Sequence, residues 1–249
     1  MTVAPDTIAS VIAELTQRLD ALPASSPRRT FLATYLRTTA AVGAAVDQGV
    51  FEDPDWVARW DVAFAGFYLR ALDADLTGTG RVPRPWRLAF DVPADLNALR
   101  QVLLGINAHI NYDLPQALLA VISDDEFGDQ ALLDRRRRDH ERIDGVLSAR
   151  VAAEDGELGD RSARTLLDRV LTPLNRRGSR RFLREARQKV WHNTIELHRA
   201  RVAGGDAYAV RLAELEVLSA ARIADLLAPG QVLLRLSVAG FGVLLPPPG

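Results

Sequence analysis

Residues Leu103–Leu119 read LLGINAHINYDLPQALL. Apolar residues flank this run, yet its centre holds Asn107, His109, Asn111, Tyr112 and Asp113. Polar groups set among apolar neighbours need partners or a task, because burying one unpaired costs a few kcal/mol. His109 and Asp113 have helical i, i+4 spacing, so a continuous helix puts them on one face. Pro115 should end or kink that helix, since it lacks an N–H and its ring crowds the preceding turn.

Outward from this run the chain reads as helices. Residues 6–22 carry Ile8, Val11, Ile12, Leu15 and Leu19 at helical spacing, with Asp6 or Thr7 as N-cap. Residues 28–49 repeat the pattern through Phe31, Leu32, Tyr35, Leu36, Val42 and Val46. Asp53-Pro54 reads as N-cap and first turn of a helix over 54–75, with Trp56, Trp60, Phe64, Phe67 and Tyr68 on one side. Further helices are expected over 94–112, 115–122, 129–154, 163–175, 179–202 and 206–227, with SDDEFGD (123–129) as a capped break. Residues 76–93 break the pattern with glycines and prolines and read as a long irregular loop. That loop is either pinned by Trp86 and Phe90 or used as a lid. The tail, QVLLRLSVAGFGVLLPPPG (231–249), reads as extended. There is no βαβ alternation and no internal repeat. The expectation is an all-α, single-domain bundle of about eight to ten helices spanning 1–249.

Composition limits the function classes. The 249 residues are 48% hydrophobic and 25% charged, with a net charge of −1, so no global field favours nucleic acid or an anionic membrane. The absence of cysteine removes disulfides, thiolate metal sites and thiol nucleophiles. The N-terminal MTVAPDTIASVIAEL lacks the features of a signal peptide, and no apolar run reaches the roughly 18 residues of a membrane span. A cytoplasmic protein is expected. DRRRRDHER (134–142) interleaves its arginines with acids and reads as an ion-paired face rather than a nucleic-acid surface.

The four histidines hold the candidate chemistry. His109 with Asp113, His140 with Asp144 and His192 with Glu196 each pair an imidazole and a carboxylate at helical spacing. Helical bundles build metal sites from such inward pairs, and without thiolates the ion would be Zn, Fe or Mn. The candidate ligands are His109, Asp113, His192, Glu196 and His140. A site without metal would use His109, Asp113, Asp61 and Asn111, with a buried carboxyl of raised pKa as the general base. Two plainer readings stand beside these. Asp113 caps the helix that follows, and Asn107 and Asn111 bond local backbone.

The His-x-x-x-Asp and later His-x-x-x-Glu pattern resembles that of the zinc-dependent phospholipase C and single-strand nuclease superfamily. That resemblance implies an all-α fold with a metal cluster between helices. The superfamily also uses its N-terminal residue, often a Trp, and this chain begins with Met. The run Asn107–Leu118, NAHINYDLPQAL, is also similar to the hallmark of an actinobacterial family of helical proteins of unknown function. That likeness brings no activity, though it leaves room for a role in natural-product pathways.

Three functions follow as expectations. The first is an enzyme with a polar site between helices, centred on His109 and Asp113 and hydrolase-like if a metal is bound. The second is a metal-free acid–base enzyme for cyclisation or elimination. The third is a non-catalytic helical scaffold or partner subunit. A small-molecule substrate fits the first two, and a protein partner or homo-oligomer fits the third.

Overall fold

The computed structural model describes residues 5–157 and 176–228, and the described residues form helices and their connections, with no strand. In chain order these are α1 (Ile8–Ala21), α2 (Arg28–Asp47), α3 (Pro54–Thr77), α4 (Arg84–Phe90) and α5 (Ala98–Ala108). A π-helical segment follows (His109–Asp113), then α6 (Leu114–Val121), α7 (Asp124–Gly128), α8 (Gln130–Glu157), α9 (Arg176–Ala203) and α10 (Gly205–Leu227). The all-α expectation holds. The helix expected over 163–175 and the extended tail lie outside the described residues.

Local sequence sets the helix ends. Thr7 caps α1 by accepting from the Ser10 N–H at 3.1 Å, and Ser10 answers the Thr7 N–H at 3.0 Å. Asp53 caps α3 by accepting from the Trp56 N–H at 3.0 Å, with Pro54 preset for the first turn. Gly78, at φ 67°, closes α3 in the left-handed region that glycine reaches without strain. A capping box between Ser123 and Glu126 makes α7, so the expected break carries a short helix of its own.

Two expectations need correction. Pro115 does not break the helix. Leu114 donates its N–H to the His109 carbonyl in the wider π pattern, and α5, the π-helical segment and α6 follow one another without a break. Pro115 then falls in the first turn of α6, where a missing N–H costs little. The loop over 76–93 is also not irregular throughout, because it contains α4. Glu216 of α10 accepts from the Arg84 N–H at 2.8 Å at the start of that helix, and Trp86 and Phe90 are buried beneath it.

Packing brings three apolar clusters together at the π-helical segment. Ala108, just before the segment, belongs to a cluster built from α1 to α5 and α10, including Leu15, Leu32, Tyr68, Trp86, Leu104 and Ile223. Ile110 packs on a second, formed by Trp56, Trp60, Leu118, Ile143 and Trp191. Tyr112 joins a third with Leu119, Leu197 and Leu215. The polar run quoted first therefore sits at the junction of the apolar interior. α2 and α5 approach closely because Gly105 has no Cβ, and one built there would collide with the Phe31 ring.

Candidate functional site

His109 and Asp113 are on the π-helical segment, and both are buried, at 3% and 1% exposure. The His109 Nδ1 lies 2.9 Å from Asp113 Oδ2. The same carboxylate oxygen accepts the Trp86 indole N–H at 2.7 Å. Asp113 makes no side-chain cap to α6, so the capping reading is not the one realised. Desolvation pushes the Asp113 carboxyl well above the usual carboxylate range, opposed by the Trp86 hydrogen bond and by the charge of Arg70. Burial holds His109 well below its ordinary value, so the imidazole is neutral near pH 7.

Aromatic rings enclose the imidazole. Phe64 stacks on it at 3.5 Å and 6°, while Tyr35 meets it edge-on at 4.5 Å. Phe31, Tyr68 and Trp86 stand within about 6 Å of its ring centre. The periodicity of two helices supplies these walls. Phe31, Tyr35 and Thr39 recur along α2, and Asp61, Phe64, Ala65 and Tyr68 along α3.

Several buried polar atoms here have no hydrogen-bond partner among the described residues. They are His109 Nε2, Asp61 Oδ2, Tyr68 Oη, Trp60 Nε1, Tyr35 Oη and Thr39 Oγ1. The Thr39 hydroxyl is near enough to ease ionisation of Tyr35, though the two do not reach full hydrogen-bond geometry. Buried polar groups are normally satisfied, so a concentration of exceptions on α2, α3 and His109 marks a candidate site. Desolvation lifts Asp61 to about 7, within reach of physiological pH. It also pushes the Tyr35 phenol up, helped by the negative charges of Asp61 and Asp113. Tyr35 therefore senses both carboxyls.

Asn107 and Asn111 bond locally, close to the plainer of the two readings. The Asn111 side-chain amide donates to Asn107 Oδ1 at 3.0 Å, and Asn107 donates to the Leu103 carbonyl at 2.8 Å. The two form a local ladder on the half-buried side of the segment. The other metal candidates lie elsewhere. His140 is buried on α8 beside Trp60 and Trp191, at 5.4 and 5.8 Å between ring centres. His192 is exposed on α9, and Glu196 pairs with Arg199 at 2.8 Å. Among the described residues, no three His, Asp or Glu side chains come together as a metal-holding group. The structure thus joins His109 to Asp113, brings Asp61 to the same aromatic neighbourhood, and leaves His140, His192 and Glu196 apart from them as a metal group.

Residues 8–229 match the family described as "Family of unknown function (DUF5995)". The chain belongs to that family. No curated protein and no solved structure matched the chain. For this DUF5995 protein, no helix among the described residues is long and apolar enough to cross a membrane.

Sequence reading missed Trp86, Tyr35, Thr39 and Tyr68 as site residues. Trp86 and Tyr35 were legible as packing groups, but nothing in their local sequence says that the indole N–H bonds Asp113 or that the phenol feels the charges of Asp61 and Asp113. Asp61 carried the one available signal, a carboxylate on the apolar stripe of an amphipathic helix.

Proposed function

We propose that this protein is an acid–base enzyme that moves a proton on a small, largely apolar substrate held among α2, α3 and the π-helical segment. The observation that carries the reading is His109. Asp113 holds its Nδ1, Trp86 holds Asp113, and Nε2 is buried and uncommitted. The indole N–H can only donate, so Oδ2 serves as acceptor. With the imidazole neutral and Nδ1–H donating to that same oxygen, Nε2 keeps a lone pair. An orienting carboxylate and a free second nitrogen are what a general base requires. The π-helical geometry supports the reading, because such bulges recur at functional sites.

In this scheme Nε2 takes a proton from a C–H next to a carbonyl, and the bonding pair moves into the carbonyl as an enolate. Asp113 stabilises the imidazolium that results. Asp61, poised at about 7, donates its proton to the developing oxyanion and recovers it afterwards. A proton transfer of this kind starts a cyclisation or an elimination.

The test is deuterium incorporation next to the carbonyl of small aryl ketones, such as phenylacetone, in D2O. Wild-type protein should exceed buffer, and His109→Gln should lose about 100-fold or more of that excess. Equal rates in the two proteins, or no wild-type excess across the ketone series, overturns the reading.

A further inference from the structure

Arg70 lies two residues beyond Tyr68 on α3 and is exposed. Its guanidinium sits over the Phe67 ring at 4.7 Å and makes no ion pair among the described residues. Phe67 and Ile110 of the π-helical segment both pack on the second apolar cluster, and Phe67, with the cation over its ring, is one helical turn from Phe64, which stacks on His109. Its charge also acts on Asp113.

Gly66 explains how Arg70 is held there. Glycine is disfavoured inside a helix, and Gly66 is not among the residues whose backbone requires it by a positive φ. The missing side chain leaves room instead. A Cβ at Gly66 would lie 3.0 Å from Arg70 Nη1, so the guanidinium folds back along α3 into the space the glycine provides. A guanidinium stacked on a ring keeps its N–H edge free, and that edge matches a carboxylate in two parallel hydrogen bonds.

The geometry points to Arg70 as the anchor for the carboxylate of the substrate: the site takes a small aromatic or apolar carboxylic acid, its acid group on Arg70 and its apolar body along Phe67 and Ile110 towards His109. The direction of the body rests on the acid–base reading, whereas the anchor itself does not. Near neutral pH the raised carboxyl of Asp61 is partly uncharged, which lowers its repulsion of an incoming anion.

The probes are benzoate and its neutral isostere benzamide, titrated calorimetrically into wild-type, Arg70→Gln, Arg70→Lys and Gly66→Ala proteins. Wild type should prefer benzoate. Arg70→Gln should weaken benzoate about tenfold or more and leave benzamide unchanged, with Arg70→Lys in between. Gly66→Ala should also weaken benzoate while leaving the fold at least as stable, because alanine is the better helix former. Benzoate binding that is unchanged in Arg70→Gln, benzamide bound as tightly as benzoate, or neither probe bound by wild type, each overturns the anchor. A benzoate preference that needs Arg70, found without any deuterium incorporation, supports the anchor and overturns the acid–base reading alone.

Discussion

At the scale of single residues, the most informative group is Asp61. It is 7% exposed, and burial lifts its carboxyl to about 7 from an ordinary value of 3.8. Its folded state therefore binds a proton that the unfolded chain has released. The stability this gives is present in full below pH 4 and is lost as pH rises through about 7. Asp61→Asn should flatten that part of the profile and be the more stable protein at pH 8, by an amount on the order of a few kcal/mol. Urea denaturation of both proteins from pH 4 to 8 checks this, and parallel profiles would contradict the placement of Asp61. Trp86 is the second such residue. Trp86→Phe keeps much of the ring packing but removes the N–H donated to Asp113 Oδ2. It should cost about 1–3 kcal/mol in equilibrium unfolding. It should also raise the Asp113 carboxyl further, since the lost bond is one of the two influences that lower it.

At the scale of elements, the run around His109 shows what a spacing rule can and cannot say. The i, i+4 pairing of His109 with Asp113 was legible in the sequence, and the two do meet. The form of the helix was not. Pro115 signals a disturbance, but whether it becomes a break or a π-helical turn depends on how the flanking helices pack. Here α5 and α6 are both held by neighbours, so the strain is absorbed by one wider turn. The α2–α5 contact offers a test of that packing. Alanine favours a helix over glycine by about 1 kcal/mol. Gly105→Ala should nonetheless destabilise by about 1–3 kcal/mol, because its Cβ meets the Phe31 ring. A stabilised variant in thermal unfolding would show that the two helices can separate freely. α4 shows the opposite limit. The prolines and glycines in and around it read as loop, and its helix is set by a tertiary bond, with Glu216 accepting from the Arg84 N–H.

At the scale of the whole molecule, charged groups tie distant elements together. Asp139 of α8 is fully buried, and its two oxygens accept the Glu52 and Asp53 N–H groups, each at 2.8 Å. Arg142 pairs with the same carboxylate at 2.9 Å. Arg136, beside it, bridges Asp53 and Glu126. This network joins α8 to the start of α3 and to α7. Asp139→Ala would leave two partly buried backbone N–H groups without their acceptor and remove a partner of Arg142, and the loss should be about 2–3 kcal/mol by thermal or urea unfolding. The run DRRRRDHER is accordingly an ion-paired face, with Arg136 and His140 inward as helical periodicity predicts and Asp139 buried beside them.

The sequence by itself determined the helical class, most of the helix ends and the pairing of His109 with Asp113. Those depend on periodicity, caps and spacing along one helix, which are local and act before the chain is folded. Only the tertiary structure decided what surrounds that pair. Trp86, Tyr35, Phe64 and Asp61 arrive from three other helices, and their hydrogen bonds and shifted protonation exist only once burial removes water. No local pattern encodes the desolvation that makes His109 neutral and lifts Asp61 towards 7, because that property belongs to the packed interior rather than to any stretch of the chain.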